Sequence, residues 1–112
     1  MVISFKDSKT EKVFCDFKAL QRKWGPEQAK AIARRLAELV AAENLETLRS
    51  LPQMRAHELS GNRAGQISID VKHPFRLLIE PDHEETPRKQ DGGLDWKLVT
   101  KIKILAVEDI HG

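Results

Sequence analysis

The sequence predicts an α+β domain with an N-terminal strand and a helical hairpin packed on an antiparallel sheet. Apolar residues recur at helical spacing from Val13 to Leu48, and after Gly65 the period switches to two. Gly25-Pro26 separates two helical stretches so closely that they must fold back on each other. Strand, helices and then at least three strands, kept apart along the chain, is the α+β order.

Val2, Ile3 and Phe5 form a short apolar start that reads as a strand. Ser8-Lys9-Thr10-Glu11 has the form of a capping box, in which serine and glutamate side chains each satisfy a free backbone N–H. Val13, Phe14, Phe17, Leu20 and Trp24 then make one helical stripe, with Cys15 placed in the core beside it. Gly25 stops this helix, and Pro26 starts the next at the favoured first position. The second helix runs to about Ala42 with Ile32, Leu36, Leu39 and Val40 as its core face. Asn44 caps a short third helix carrying Leu45 and Leu48, which Pro52 ends.

Gly61 to Gly65 reads as a hairpin turn, and Gly65 to Val71 alternates as a strand. His73-Pro74 is a turn signal before a second strand, Phe75 to Ile79. Residues 81–98 are polar and contain Pro87 and Asp91-Gly92-Gly93, so they read as a long loop. Val99 to Val107 is a third strand with Lys101 and Lys103 on one face and Ile102 and Ile104 on the other.

With 112 residues the chain fits one domain, residues 1–112, with 81–98 as a loop insertion. Hydrophobic content of 40% excludes a disordered chain. The net charge of +2 does not announce a nucleic-acid binder, but residues 1–60 hold eleven Lys or Arg against eight Asp or Glu. A local basic surface is therefore expected, because binding reads the local field. One cysteine excludes an internal disulfide and a cysteine-based zinc site. No apolar run follows a basic start, and none is long enough to span a bilayer, so a cytoplasmic protein without membrane contact is expected.

His57 and His111 are the candidate acid and base, because histidine exchanges protons near neutral pH. RNA cleavage needs such a pair: one group takes the proton of the ribose 2′-OH as it attacks phosphorus, and the other protonates the leaving 5′-oxygen. Arg76, Arg63 and Arg55 are the candidate cations for the charge on phosphorus, since guanidinium matches phosphate geometry. Each residue also has an ordinary reading: a histidine near a terminus is usually solvated, and a strand arginine is usually in an ion pair. Lys30, Arg34 and Arg35 form a basic helix face, usually just solvated, whose functional alternative is RNA phosphate contact. His73, His83, His111 and Asp91 lack the close spacing of metal ligands, so no metal site is expected.

Several segments in order resemble the HigB-type killer proteins. Ser4-Phe5-Lys6-Asp7 with Thr10-Glu11-Lys12 is similar to that family's start, and Arg34-Arg35-Leu36 falls at its basic helix. Leu48-Arg49-Ser50 and then Leu59-Ser60-Gly61-Asn62-Arg63-Ala64-Gly65-Gln66-Ile67-Ser68-Ile69 resemble its central L-K-G-x-R-x-G-x-[YW]-S-I segment. Phe75-Arg76-Leu77 and Glu108-Asp109-Ile110-His111 resemble its arginine strand and its ending. The resemblance implies a RelE-like fold of the RelE/ParE superfamily and ribosome-dependent mRNA cleavage without a cofactor. It also implies an antitoxin partner, often a helix-turn-helix DNA-binding protein. His57, Arg76, Asp109 and His111 take the positions of the family's active-site residues, with Asp109 tuning His111.

Three departures accompany the resemblance. Ser60 stands where the family has lysine, Ile110 where it has tyrosine, and the 81–98 loop replaces a tight hairpin. Two rival functions fit the same chain. One is a non-enzymatic toxin like the ParE branch, which inhibits gyrase by binding. The other is a degenerate, non-toxic antitoxin-binding module.

Overall fold

The computed structural model describes residues 1–110. The elements run β1 (Val2–Phe5), α1 (Ser8–Phe14), α2 (Phe17–Trp24), α3 (Pro26–Ala41), β2 (His57–Glu58), β3 (Ile67–Asp70), β4 (Arg76–Pro81) and β5 (Lys101–Glu108). Short 3₁₀ turns occupy Leu45–Ser50, Pro52–Met54, Gly61–Arg63 and Trp96–Leu98. The five strands form one sheet in the order β1-β5-β4-β3-β2, which with the helices makes the α+β architecture that the sequence predicts.

The sheet is antiparallel from β2 to β5, but β1 lies parallel to β5. The antiparallel sheet that the sequence predicts is β2 to β5, and the N-terminal strand joins its edge in parallel. Alternation of apolar residues fixes which face a strand buries, not the direction in which it runs. Val2 pairs with Lys101 and Phe5 with Ile104.

The first helix is two helices, and the chain breaks between them at Cys15 and Asp16. Asp16 acts as an N-cap, its carboxylate accepting from the Lys18 N–H at 3.0 Å. Likewise Asp7, not Ser8, caps α1, accepting from the Thr10 N–H at 2.7 Å. Aspartate accepts end-of-helix N–H groups readily, so it starts a helix more easily than it continues one. The break leaves Cys15 exposed instead of in the core, and leaves Phe17 partly exposed. On α3, Ala29, Ile32 and Leu39 are buried while Val40 is 60% exposed, so the stripe is narrower than its apolar residues suggest.

Ile67, Ile69, Leu77, Ile79, Ile102 and Ile104 bury one face of the sheet against Phe14, Leu20, Ile32, Leu39, Leu45 and Leu48. The register puts a different set on the other face. His57 pairs with Ser68 and Ser68 with Leu78; Asp70 pairs with Arg76 and Arg76 with Glu108. A bulge at Leu105, between the Leu78–Ala106 and Ile79–Ile104 pairs, re-aims the end of β5.

The loop from residue 82 to residue 100 is part of the core, not only a surface insertion. Leu94, Trp96 and Val99 are buried. The Trp96 indole N–H donates to Glu58 Oε1 at 2.7 Å, and the Arg49 guanidinium stacks 3.9 Å above its ring. His83 Nε2 accepts from the Thr100 and Lys101 N–H groups, which fastens the loop to the start of β5.

Candidate functional site

The sheet face away from the helices carries the charged cluster. Its floor is Ser68 and Leu78, both buried in the middle of the sheet. Around that floor stand His57 from β2, Asp70 from β3, Arg76 from β4 and Glu108 from β5, with Arg55 and Arg63 from the flanking turns. Residues scattered from 55 to 108 are thus gathered on one surface by sheet register alone.

His57 lies on a two-residue strand, and its exposed ring faces solvent. Its Nδ1 is 3.1 Å from the carbonyl oxygen of Arg55. A carbonyl only accepts, so this contact is a hydrogen bond when Nδ1 carries the proton. The Nε2 lone pair is then left free for a proton from elsewhere. Arg55 is the one non-glycine residue with positive φ among the described residues, at φ 44° and ψ 47°. That left-handed turn aims its carbonyl at His57, at a backbone cost of about 1–2 kcal/mol.

Arg76 is mostly buried, and its Nε faces Asp70 Oδ1 at 3.1 Å. This is an ion pair off the hydrogen-bonding line, since Oδ1 has no aligned donor. Arg55 reaches the same carboxylate at 3.7 Å. Arg63, at the end of the turn that Gly61 (φ 65°) permits, donates to Glu108 Oε1 at 2.8 Å. Three guanidinium groups therefore meet two carboxylates on the sheet face that carries His57.

Asp70 and Glu108 were not singled out from the sequence. The signal was present, since the Ile67-Ser68-Ile69-Asp70 alternation puts Asp70 on the face opposite the isoleucines. Asp109 follows β5 directly. His111 lies outside the described residues.

The basic helix face does not join this cluster. α3 packs on the core side of the sheet, and its Lys30 and Arg34 line a shallow hollow with Glu27 and Lys72. The structure also separates Arg35 from those two. Its Nε donates to the Asp70 carbonyl at 2.8 Å and its Nη1 to Glu38 at 2.7 Å, so it ties α3 to the end of β3.

His57 and Arg55 are exposed at the edge of the cluster, while Ser68, Leu78, Asp70 and Arg76 are covered or nearly so. A cleft of about 610 Å³ opens nearby between Ser60–Gly65 and the long loop, but neither His57 nor Arg76 lines it. Among the described residues no three His, Cys, Asp or Glu side chains gather as metal ligands. Among them, too, no helix is long and apolar enough to cross a membrane.

A family model described as RelE-like toxin of type II toxin-antitoxin system HigB matches residues 3–87 of the 112. The match takes in Arg55, His57, Arg63, Asp70 and Arg76 and stops in the long loop, before β5. No curated protein and no solved structure matches the chain.

Proposed function

The chain belongs to the HigB-like family of RelE-like toxins of type II toxin-antitoxin systems, and on that premise we propose that it is an endoribonuclease that cuts mRNA on the ribosome. The observation that carries this reading is the gathering of His57, Arg55, Arg63 and Arg76 on one sheet face. His57 and Arg76 are two strands and two residues apart, roughly 10 Å across the sheet and 7 Å along it. A phosphodiester with its flanking riboses fits that span.

In this reading His57 Nε2 takes the proton from a ribose 2′-OH while Nδ1–H stays on the Arg55 carbonyl. The 2′-oxygen bonds to the adjacent phosphorus, and the bond to the 5′-oxygen breaks. His111 returns a proton to that 5′-oxygen with Asp109 tuning it, and a 2′,3′-cyclic phosphate remains. Arg76, with Arg55 and Arg63, neutralises the charge that grows on the phosphoryl oxygens. Every atom comes from the RNA and these side chains, so the cleavage needs no cofactor. Lys30 and Arg34 lie off the cluster, where ribosomal RNA phosphate is their fitting partner.

The carboxylates favour a second reading. Asp70 and Glu108 already occupy the arginines, which suits a toxin that blocks its target by binding without cutting. Purified chain added to ribosomes programmed with end-labelled mRNA separates the two. Cleavage in the decoding site with cyclic phosphate ends, lost in His57→Gln, supports the ribonuclease. Intact mRNA beside wild-type protein contradicts it.

A further inference from the structure

The long loop is held in shape along its length. Arg88 and Leu94 bridge across a tight turn, in which the Lys89 N–H donates to the Gly93 carbonyl at 2.8 Å. The Asp95 N–H donates to the Pro87 carbonyl at 3.0 Å, and the Asp82 N–H to the Lys101 carbonyl at 2.9 Å. Trp96 follows, buried. Arg49 lies over its ring and is itself paired with Glu46 at 2.9 Å. A buried indole N–H usually has a partner, and the partner here is Glu58 Oε1 at 2.7 Å.

Glu58 is half of β2, a two-residue strand that ends the sheet. On its inner side β2 pairs with β3, His57 opposite Ser68 and Glu58 opposite Ile67. The Leu59 N–H adds a bond to the Gln66 carbonyl at 2.9 Å. On the outer side of β2 no strand follows among the described residues. So short an edge strand opens easily by itself. Successive side chains of a strand point to opposite faces. Glu58 therefore lies on the face of Ile67 and the core, and His57 on the face of Ser68 and the charged cluster. Holding Glu58 on one face sets the roll of the strand, and so where His57 stands on the other.

We propose that the long loop serves the site as a clamp, with Trp96, through Glu58, a positioning residue for His57. The proposal rests on the ribonuclease reading for what His57 does to RNA, and on the hydrogen bonds above for how it is held. A bond from an N–H to a carboxylate is stronger than one between neutral groups, and this one joins residues 38 apart in sequence. It complements the Arg55 carbonyl: the carbonyl orients the ring, and Trp96 fixes the strand that carries the ring. Misplacing a reacting group by about 1 Å costs up to about a hundredfold in rate. The clamp should therefore show in the rate of cleavage and not in binding.

The test uses three variants. Trp96→Phe keeps a ring in the packing and removes the donor, Glu58→Ala removes the acceptor, and Glu58→Gln keeps one. Single-turnover cleavage of mRNA on programmed ribosomes gives a maximal rate and a half-saturating ribosome concentration. Amide hydrogen exchange reads the hold on β2. Trp96→Phe and Glu58→Ala should each have a maximal rate at least about tenfold below wild type, with half-saturation unchanged. In both, the Leu59 amide should exchange at least about tenfold faster while the amides of β4 keep their protection. Glu58→Gln should stay within about threefold of wild type in both measurements. A wild-type rate in Trp96→Phe, a change in half-saturation alone, Glu58→Gln as slow as Glu58→Ala, or protection lost equally throughout the chain would each overturn the proposal. If the wild-type chain leaves mRNA intact, the ribonuclease reading falls and Leu59 exchange decides the clamp. Faster exchange in Trp96→Phe then supports it, and unchanged exchange overturns it.

Discussion

The ring of His57 is held by the carbonyl of Arg55, two residues earlier, at 3.1 Å. The carbonyl points there because Arg55 adopts a left-handed backbone. Backbone strain of this kind persists only where the surrounding structure holds it in place. Arg55→Gly should remove the strain and stabilise the fold by up to about 1 kcal/mol, while removing a cation from the cluster slows cleavage roughly tenfold. Urea unfolding and a cleavage assay on the same protein check both. Lower stability with full activity would show that neither the turn nor the guanidinium matters as described.

Trp96 fastens the long loop to the body of the domain. It is 3% exposed, donates to Glu58 and lies under Arg49. Trp96→Ala should cost about 3–5 kcal/mol. Trp96→Phe should recover most of the packing and lose only the bond to Glu58. A change under about 1 kcal/mol in the alanine variant would mean the loop is a dispensable insertion after all.

The Arg63–Glu108 pair is more than a third exposed on both sides. A double-mutant cycle should therefore give less than about 1 kcal/mol of coupling in stability. Its effect on RNA binding should be larger. Glu108→Gln frees Arg63 for phosphate and should tighten binding. Arg63→Ala should weaken binding and reduce the salt slope by about one. Identical salt slopes in wild type and Arg63→Ala would remove Arg63 from the RNA face.

Asp7 gives a pH signature at the start of α1. Its carboxyl is held below the usual carboxylate value by hydrogen bonding with Thr10, with Lys6 and Lys9 adding to the effect. The folded form thus favours the ionised group. Its contribution to stability is full above the unfolded pKa near about 4 and fades as pH falls through the lower folded value. Wild type should exceed Asp7→Asn in stability at neutral pH, and the gap should close on acidification below about pH 4. Thermal unfolding at a series of pH values reads this directly, and a gap that persists in acid would contradict the assignment.

Much of this arrangement was legible in the sequence because alternation reports faces. Ile67, Ile69, Ile102 and Ile104 told which side of the sheet was buried. The Gly61–Gly65 turn told that residues near His57 fold back onto β3. The direction of β1 was not legible, since Val2, Ile3 and Phe5 alternate equally well either way. The helix break was hidden because Phe14 and Phe17 keep helical spacing across it, although Asp16 marked it. Asp70 was read only as part of its strand and Glu108 only as part of the family-like ending, because their partners Arg76, Arg55 and Arg63 come together only once the sheet is paired. Trp96 was hidden in a polar stretch, where one large apolar side chain breaks no period.

The most direct measurement is inducible expression without antitoxin, with mRNA ends mapped, for wild type, His57→Gln and His111→Ala. Growth arrest with new in-frame cuts in wild type, and loss of both in the two variants, is the predicted result. Growth arrest with intact mRNA in wild type would contradict the ribonuclease and leave a toxin that acts by binding.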